Sequence, residues 1–280
     1  MIRYTTAELE DLVALDAGLG DLTGDLIGKE TAPARLAILT RSSVVASHLD
    51  AAAGIARLYN LKFESAFKNG ALVPAKSELC VMSGEFGAIH AVYKSVQNLL
   101  EYACGIALSA REMVEAAKSA NPKCEVLLTR KVIPFAKKLC LKAGLEGGAR
   151  IHRLGTYDTV LFFDHHTCAY GDLNEFLAQI ARFKSQLCER KILVECKDVE
   201  FGKAALKAGA DGVQCDKMSA EDVGFLVKAR DEMAPNAVVM AAGGVNKGNA
   251  AAYAATLCDA LVTSAPYKGC ADLGAKIALL

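Results

Sequence analysis

Two basic pairs, Arg130–Lys131 and His152–Arg153, bracket the stretch LLTRKVIPFAKKLCLKAGLEGGARIHRLG, and each stands where a short apolar run ends. Further along, KILVECK carries Glu195 and GVQCD closes on Asp216. AVVMAAGG closes on Gly243–Gly244, and ALVTSA holds Thr263–Ser264, with Lys268 just beyond. Cations fix an anionic substrate by charge-assisted hydrogen bonds, and an arginine grips a carboxylate bidentately. Two carboxylates suit ribose hydroxyls or a Mg2+ ion carrying pyrophosphate. Glycine turns let backbone N–H groups approach a terminal phosphate. Together these residue types describe displacement of pyrophosphate from a sugar phosphate by an anionic nucleophile. The carboxylates beside the sugar would stabilise the positive charge that develops on it.

Taken singly, most of these residues have an ordinary reading. Arg130–Lys131 would serve as a solvated strand end, His152–Arg153 as a surface pair, and Asp216 as a cap for the helix beginning near Ser219. Glu195 is harder to dismiss, because a carboxylate in an otherwise apolar strand needs a partner. The set is more specific than any member. His165–His166 reads as a pair on a strand, where neighbours point opposite ways and do not share a metal. The acidic DLTGD segment reads as a turn and cap.

The elements that must carry these residues follow from periodicity. Beyond residue 120, short apolar strands alternate with amphipathic helices: EVLLT then PFAKKLCLKAGL, TVLFF then DLNEFLAQIARFKSQL, KILVECK then VEFGKAALKAG. GVQCD then SAEDVGFLVKARD, and AVVMAAGG then KGNAAAYAATL, continue the beat, and RIHRL is a further strand candidate. Such repetition argues for a parallel sheet closing into an incomplete (β/α) TIM-like barrel, whose chemistry gathers at the C-terminal ends of the strands. An open doubly wound sheet would be marked by GxGxxG after a first strand, and none is present. The segment before residue 85 mixes a helix-like start, TTAELEDLVAL, with alternating runs ARLAILTRSSVVAS and ELCVMSGE, as in a smaller α+β N-terminal domain. Between them, Ala88 to Ala120 predicts one long amphipathic helix, or two broken near Gly105. The expected division is 1–107 for the N-terminal domain with the long helix and 108–280 for the barrel, with the C-terminal tail returning to the N-terminal domain.

The bulk composition excludes several classes. With 280 residues, 52% of them hydrophobic, the chain has ample apolar material for a core. Lys+Arg and Asp+Glu both number 32, so no net charge draws the chain to nucleic acid or an anionic membrane. The opening MIRYTTAELEDL lacks the pattern of a signal peptide, and no apolar stretch approaches the ~20 residues of a membrane span. Ten cysteines are scattered without a CxxC pair, most of them in apolar runs. They are expected to be reduced core residues of a cytoplasmic protein.

The motifs TRK, GGARIHRLG, VEC, QCD and AAGGV, with GDLT near the start and QNLLEYACGIA in the long helix, resemble the quinolinate phosphoribosyltransferase (nicotinate-nucleotide pyrophosphorylase) family along almost the whole chain. The resemblance implies an N-terminal α/β domain, an incomplete barrel, phosphoribosyl pyrophosphate and Mg2+. It also implies a homodimer, or a higher assembly of dimers, with sites shared between subunits. On that pattern Arg130, His152 and Arg153 hold the acid substrate. Lys131, Glu195 and Asp216 serve the phosphoribosyl pyrophosphate side, with Glu195 and Asp216 toward the metal, and Gly243–Gly244, with Ser264 and Lys268, take the phosphate. Three departures stand out. Lys94 occupies the place of an arginine that the family lends across its dimer, Phe163 replaces a second substrate-binding lysine, and Ser264 and Lys268 replace a usual Gly and His. These departures are similar to the ModD branch, whose proteins are associated with molybdenum-uptake operons and described as pyrophosphorylases. A true quinolinate phosphoribosyltransferase of NAD biosynthesis, a Schiff-base aldolase using Lys131, and an anion-binding protein without turnover are the competing readings.

Overall fold

The computed structural model describes residues 2–280. The chain divides into two compact units. One comprises residues up to Arg111 together with Val132–Gly148 and Pro266–Leu280, the other Glu112–Lys131 and Ala149–Ala265.

The first unit opens with α1 (Thr6–Ala17), capped by Thr5 in a reciprocal box with Glu8, and α2 (Leu22–Ile27), capped by Asp21. Strands β1 (Pro33–Thr40), β2 (Val44–Val45), β3 (Lys62–Glu64), β4 (Leu72–Val73) and β5 (Glu78–Glu85) follow, with α3 (Leu49–Leu58) between β2 and β3. An antiparallel sheet runs β3-β5-β1 and is completed by the chain's last strand, Leu273–Leu279, which pairs with β1 from Thr40↔Leu273 to Ala34↔Leu279. Leu36 and Ile38 of β1 alternate inward against Ile55 of α3 and Val92, Val96 and Leu100 of the long helix α4 (Phe86–Ala120). That helix is continuous. Gly105 does not break it, because the glycine serves a close approach: a Cβ there would lie 2.4 Å from Cys270 Cα.

The helix α5 (Lys137–Glu146), which the sequence pattern counts among the barrel crossovers, belongs to the first unit. Buried polar contacts hold it. The Glu146 carboxylate accepts from Ser47 Oγ at 2.5 Å and from the His48 backbone N–H at 3.1 Å. Lys142 Nζ, on a side chain only 4% exposed, pairs with Glu146 at 2.6 Å and with Asp50 at 3.1 Å. Burial alone would raise the Glu146 pKa, but hydrogen bonds from His48, Lys142 and Ser47 bring it down to about 2.

The second unit is built on seven parallel strands: β6 (Glu125–Leu128), β7 (Arg150–Ile151), β8 (Val160–Phe162), β9 (Ile192–Cys196), β10 (Gly212–Asp216), β11 (Val238–Ala242) and β12 (Ala260–Thr263). Their bonded order is β7-β6-β12-β11-β10-β9-β8. Chain neighbours are therefore sheet neighbours, β12 closes back onto β6, and the ladder is open only between β7 and β8. This is the incomplete barrel that the strand–helix alternation predicts. Leu161, Leu193, Met240, Ala242, Ala260 and Val262 form one apolar cluster, with Leu127 and Phe163 against it. Val194, Val213, Val239 and Leu261 alternate to the other face and are fully buried. Helices α6 (Asp164–Thr167), α7 (Leu173–Leu177), α8 (Ile180–Gln186), α9 (Val199–Lys207), α10 (Ala220–Met233) and α11 (Ala250–Ala254) complete the unit. DLNEFLAQIARFKSQL, expected as one helix, is thus the two short helices α7 and α8. The RIHRL strand is also shorter than expected, ending at Ile151 just before His152.

Candidate active site

Ten of the expected site residues lie in the second unit, at or just beyond strand C-termini. His152 follows β7, and its backbone N–H donates to Leu128 O at 3.0 Å, so the chain stays beside β6 for one more residue. Arg153 is only 7% exposed and donates from Nη1 to Thr159 O at 3.4 Å. Its guanidinium carbon sits over the Phe163 ring, 5.5 Å from the centroid. On the far side of the sheet order, Gln214 of β10 lies in register with Glu195 of β9 and donates from Nε2 to its carboxylate at 2.8 Å. Asp216, two residues on from Gln214, shares that face.

Among the described residues, four buried side-chain polar atoms lack a hydrogen-bond partner, and three of them are here: His152 Nε2, Arg153 Nε and Gln214 Oε1. Folded proteins rarely leave such groups unsatisfied, so their concentration beside one set of strand ends marks a place made for a polar ligand.

The electrostatics agree. Burial, reinforced by Arg153 and Arg130, pushes the His152 imidazole down to about 4. Burial and Arg130 also lower the Arg153 pKa. Burial raises the Glu195 carboxyl against the hydrogen bond from Gln214, and Asp216 and Asp164 add to the rise. Burial is the leading cause at all three groups, and each also has a like charge near it, an arrangement that gains from a polar ligand.

Gly243 and Gly244 have φ of +77° and +90°, a left-handed conformation that favours glycine. A Cβ on Gly243 would meet Asp216 Oδ1 at 2.5 Å, whereas one on Gly244 would meet open space. The turn therefore backs the Asp216 carboxylate and leaves Gly244 exposed. Asp216 does not cap α10; Ser219 does, accepting from Asp222 N–H at 3.1 Å. Arg130 and Lys131 are exposed beyond β6, where the Lys131 N–H donates to Thr129 Oγ1 at 3.1 Å. Ser264 is half-buried after β12, next to Thr263, whose hydroxyl donates to Val245 O at 2.7 Å.

Lys94 and Lys268 belong to the first unit. Lys94 Nζ donates to Gln97 Oε1 at 3.0 Å along α4, and Lys268 is exposed at the end of a 3-10 turn, Ala265–Lys268. His165 and His166 stand on the helix α6 rather than on a strand, and His166 Nδ1 accepts from the Phe163 N–H at 3.0 Å. Two participants escape the sequence reading. Gln214 was signalled only by a polar residue two positions before Asp216 in a buried strand. Lys197, two positions after Glu195, forms an ion pair with Asp164 that links the ends of β9 and β8.

No group of three or more His, Cys, Asp or Glu residues suited to a metal occurs among the described residues. Glu195 and Asp216 nonetheless suit Mg2+, which is commonly bound through one or two carboxylates plus substrate phosphates.

Two family descriptions match the chain: Quinolinate phosphoribosyl transferase, N-terminal domain, over residues 21–104, and Quinolinate phosphoribosyl transferase, C-terminal domain, over residues 106–274. The chain belongs to the quinolinate phosphoribosyl transferase family. A relative in Pasteurella multocida, named "Putative pyrophosphorylase ModD", is 33% identical over 95% of both chains. A relative of the same name in Rhodobacter capsulatus is 36% identical over 90% of this chain and 96% of its own. The solved structure of a nicotinate-nucleotide pyrophosphorylase from Ehrlichia chaffeensis shares the fold, with a TM-score of 0.90 at 22% identity over 99% of this chain and 100% of that one. In the present chain the strand-end residues described above fall within the C-terminal family match, and Lys94 within the N-terminal one.

Proposed function

We propose that this protein is a phosphoribosyltransferase of the nicotinate-nucleotide pyrophosphorylase type, transferring the phosphoribosyl group of phosphoribosyl pyrophosphate to a small anionic acceptor. The observation that carries the proposal is the set of unpartnered buried atoms on His152, Arg153 and Gln214 beside the Glu195–Asp216 carboxylates. Arg153, with Arg130 and His152 near it, holds the acceptor's acid group and aims its nucleophilic atom at the sugar's C1′. The new bond forms there as the C1′–oxygen bond breaks, and pyrophosphate leaves with the bonding pair. Glu195 and Asp216 face the sugar and stabilise the positive charge that builds on it. Gln214 fixes the orientation of Glu195. Lys131 neutralises charge on the diphosphate side, and Gly243, Gly244 and Ser264 receive the terminal phosphate. Mg2+ held by Glu195 and Asp216 would neutralise the pyrophosphate leaving group.

We further assign the working form as a homodimer, in which Lys94 serves a shared site. Leu15, Leu19, Leu22 and Leu26, each more than three-quarters exposed, support an interface with a second copy. Seven buried free cysteines support a reducing, cytoplasmic location, and no helix among the described residues is long and apolar enough to cross a membrane. The test is pyrophosphate release from phosphoribosyl pyrophosphate and Mg2+ with an added acid acceptor. Acceptor-dependent release is expected. Binding of phosphoribosyl pyrophosphate without release for any acid would reduce the protein to a binding homologue.

A further inference from the structure

The polar recognition available to an acceptor is one-sided. Arg153 has Nη1 committed to Thr159 O, while its Nε is buried and unpartnered, so its free edge is the side-on Nε–Nη2 pair. That edge takes one carboxylate through two parallel hydrogen bonds. His152 Nε2 beside it is likewise unpartnered. The guanidinium carbon lies over the Phe163 ring, 5.5 Å from its centroid, so an acid held on that guanidinium has the aromatic ring as a neighbour. Phe163 in turn packs on the apolar barrel lining that includes Leu161 and Leu193. Lys197, beyond the neighbouring strand β9, is already engaged by Asp164. A second carboxylate directed at Phe163 would lose its hydration against an apolar ring that offers it no hydrogen bond.

Building on the phosphoribosyl-transfer reading above, we propose that the acceptor is a flat, apolar-faced acid with a single carboxylate, held by Arg153 and His152 against Phe163. The wall at Phe163 selects against dicarboxylates. A planar ring stacked there gains dispersion and keeps its one charge on Arg153.

Calorimetric titration of the whole protein with nicotinate, picolinate and quinolinate tests this without turnover. At least one monocarboxylate is expected to bind about tenfold more tightly than quinolinate, since a single unmatched charge costs at least ~1.4 kcal/mol. Phe163→Lys should reverse the order by tightening quinolinate, whereas Phe163→Leu, which keeps an apolar wall, should retain the monocarboxylate preference. Lys197→Ala should leave the ratio of affinities unchanged. Tighter binding of quinolinate by the native protein overturns the proposal. So does a loss of quinolinate affinity in Lys197→Ala, which would make Lys197 the second cation, and so does the absence of binding by every acid. Pyrophosphate release measured in parallel separates the two levels: transfer with quinolinate as the preferred acid removes the selectivity and leaves the transferase standing. Monocarboxylate-selective binding without release does the opposite.

Discussion

Gln214 donates to the Glu195 carboxylate at 2.8 Å across adjacent parallel strands, and its own carbonyl oxygen is left buried and unpartnered. Glu195 is thereby oriented but not neutralised, with its proton affinity raised by burial and by Asp216. A carboxyl whose folded pKa is raised binds more protons folded than unfolded. Its ionised form therefore costs stability at neutral pH, and that cost disappears in acid. Glu195→Gln is expected to raise the melting temperature while lowering turnover by about tenfold or more, with substrate binding largely spared. A scan of thermal unfolding beside a pyrophosphate-release assay checks both halves; unchanged turnover would remove Glu195 from the chemistry.

The buried His152 supplies a pH signature. Its folded pKa of about 4 lies below the ordinary 6.5, so between those values the unfolded chain binds the extra proton. Stability is therefore full above 6.5 and declines as the pH falls toward 4. Urea unfolding across this range should show a steeper acid loss for the native protein than for His152→Gln. An acid bound at Arg153 would favour the imidazolium, so acceptor binding near pH 5 should take up a proton, a quantity read from titrations in buffers of different ionisation heat.

Arg153 is placed by stacking as well as by charge. Arg153→Lys loses the planar fork and the contact with Phe163, and Arg153→Ala loses the cation altogether. Both should weaken acceptor binding by tenfold or more, at about 1.5–3 kcal/mol for a hydrogen bond to a charged group. Binding of phosphoribosyl pyrophosphate should be nearly intact in both. Equal loss of the two ligands would show that Arg153 does not belong to the acceptor alone.

Gly243→Ala places a methyl 2.5 Å from both Asp216 Oδ1 and the Lys217 backbone nitrogen, at a φ of +77°. The expected cost is about 1–3 kcal/mol of stability from the backbone strain, together with a displaced Asp216 and reduced turnover. Gly244→Ala carries the strained φ of +90° without the collision and should be milder on turnover. Paired melting curves and rates for the two variants distinguish collision from strain.

In the first unit, Lys142→Met removes the cation that Glu146 and Asp50 share. Breaking a buried pair on one side leaves uncompensated charge, and about 3 kcal/mol of destabilisation is expected by chemical unfolding. Glu146→Gln should act in the same direction by weakening its contacts with Ser47 and Lys142.

What the sequence determined by itself is local in origin. The short apolar runs EVLL, ILVEC, GVQCD and VVMAA, each followed by a helical period, with ALVT closing the series, set the parallel strands, because side-chain periodicity is decided within a few residues. The polar residues at the ends of those strands, from Arg130 to Ser264, were placed there for the same reason, whereas Phe163 in a lysine's place was marked only by the resemblance to the family. Only the tertiary structure decided the partners. Closure of β12 onto β6 joins residues more than a hundred positions apart, and capture of α5 by Ser47, His48 and Asp50 overrides its place in the strand–helix beat. The pairing of Gln214 with Glu195, the stacking of Arg153 on Phe163 and the ion pair of Lys197 with Asp164 likewise depend on which strand ends become neighbours. Hydrogen bonds and charges act over a few ångströms of space, and a linear sequence does not specify which distant residues meet there.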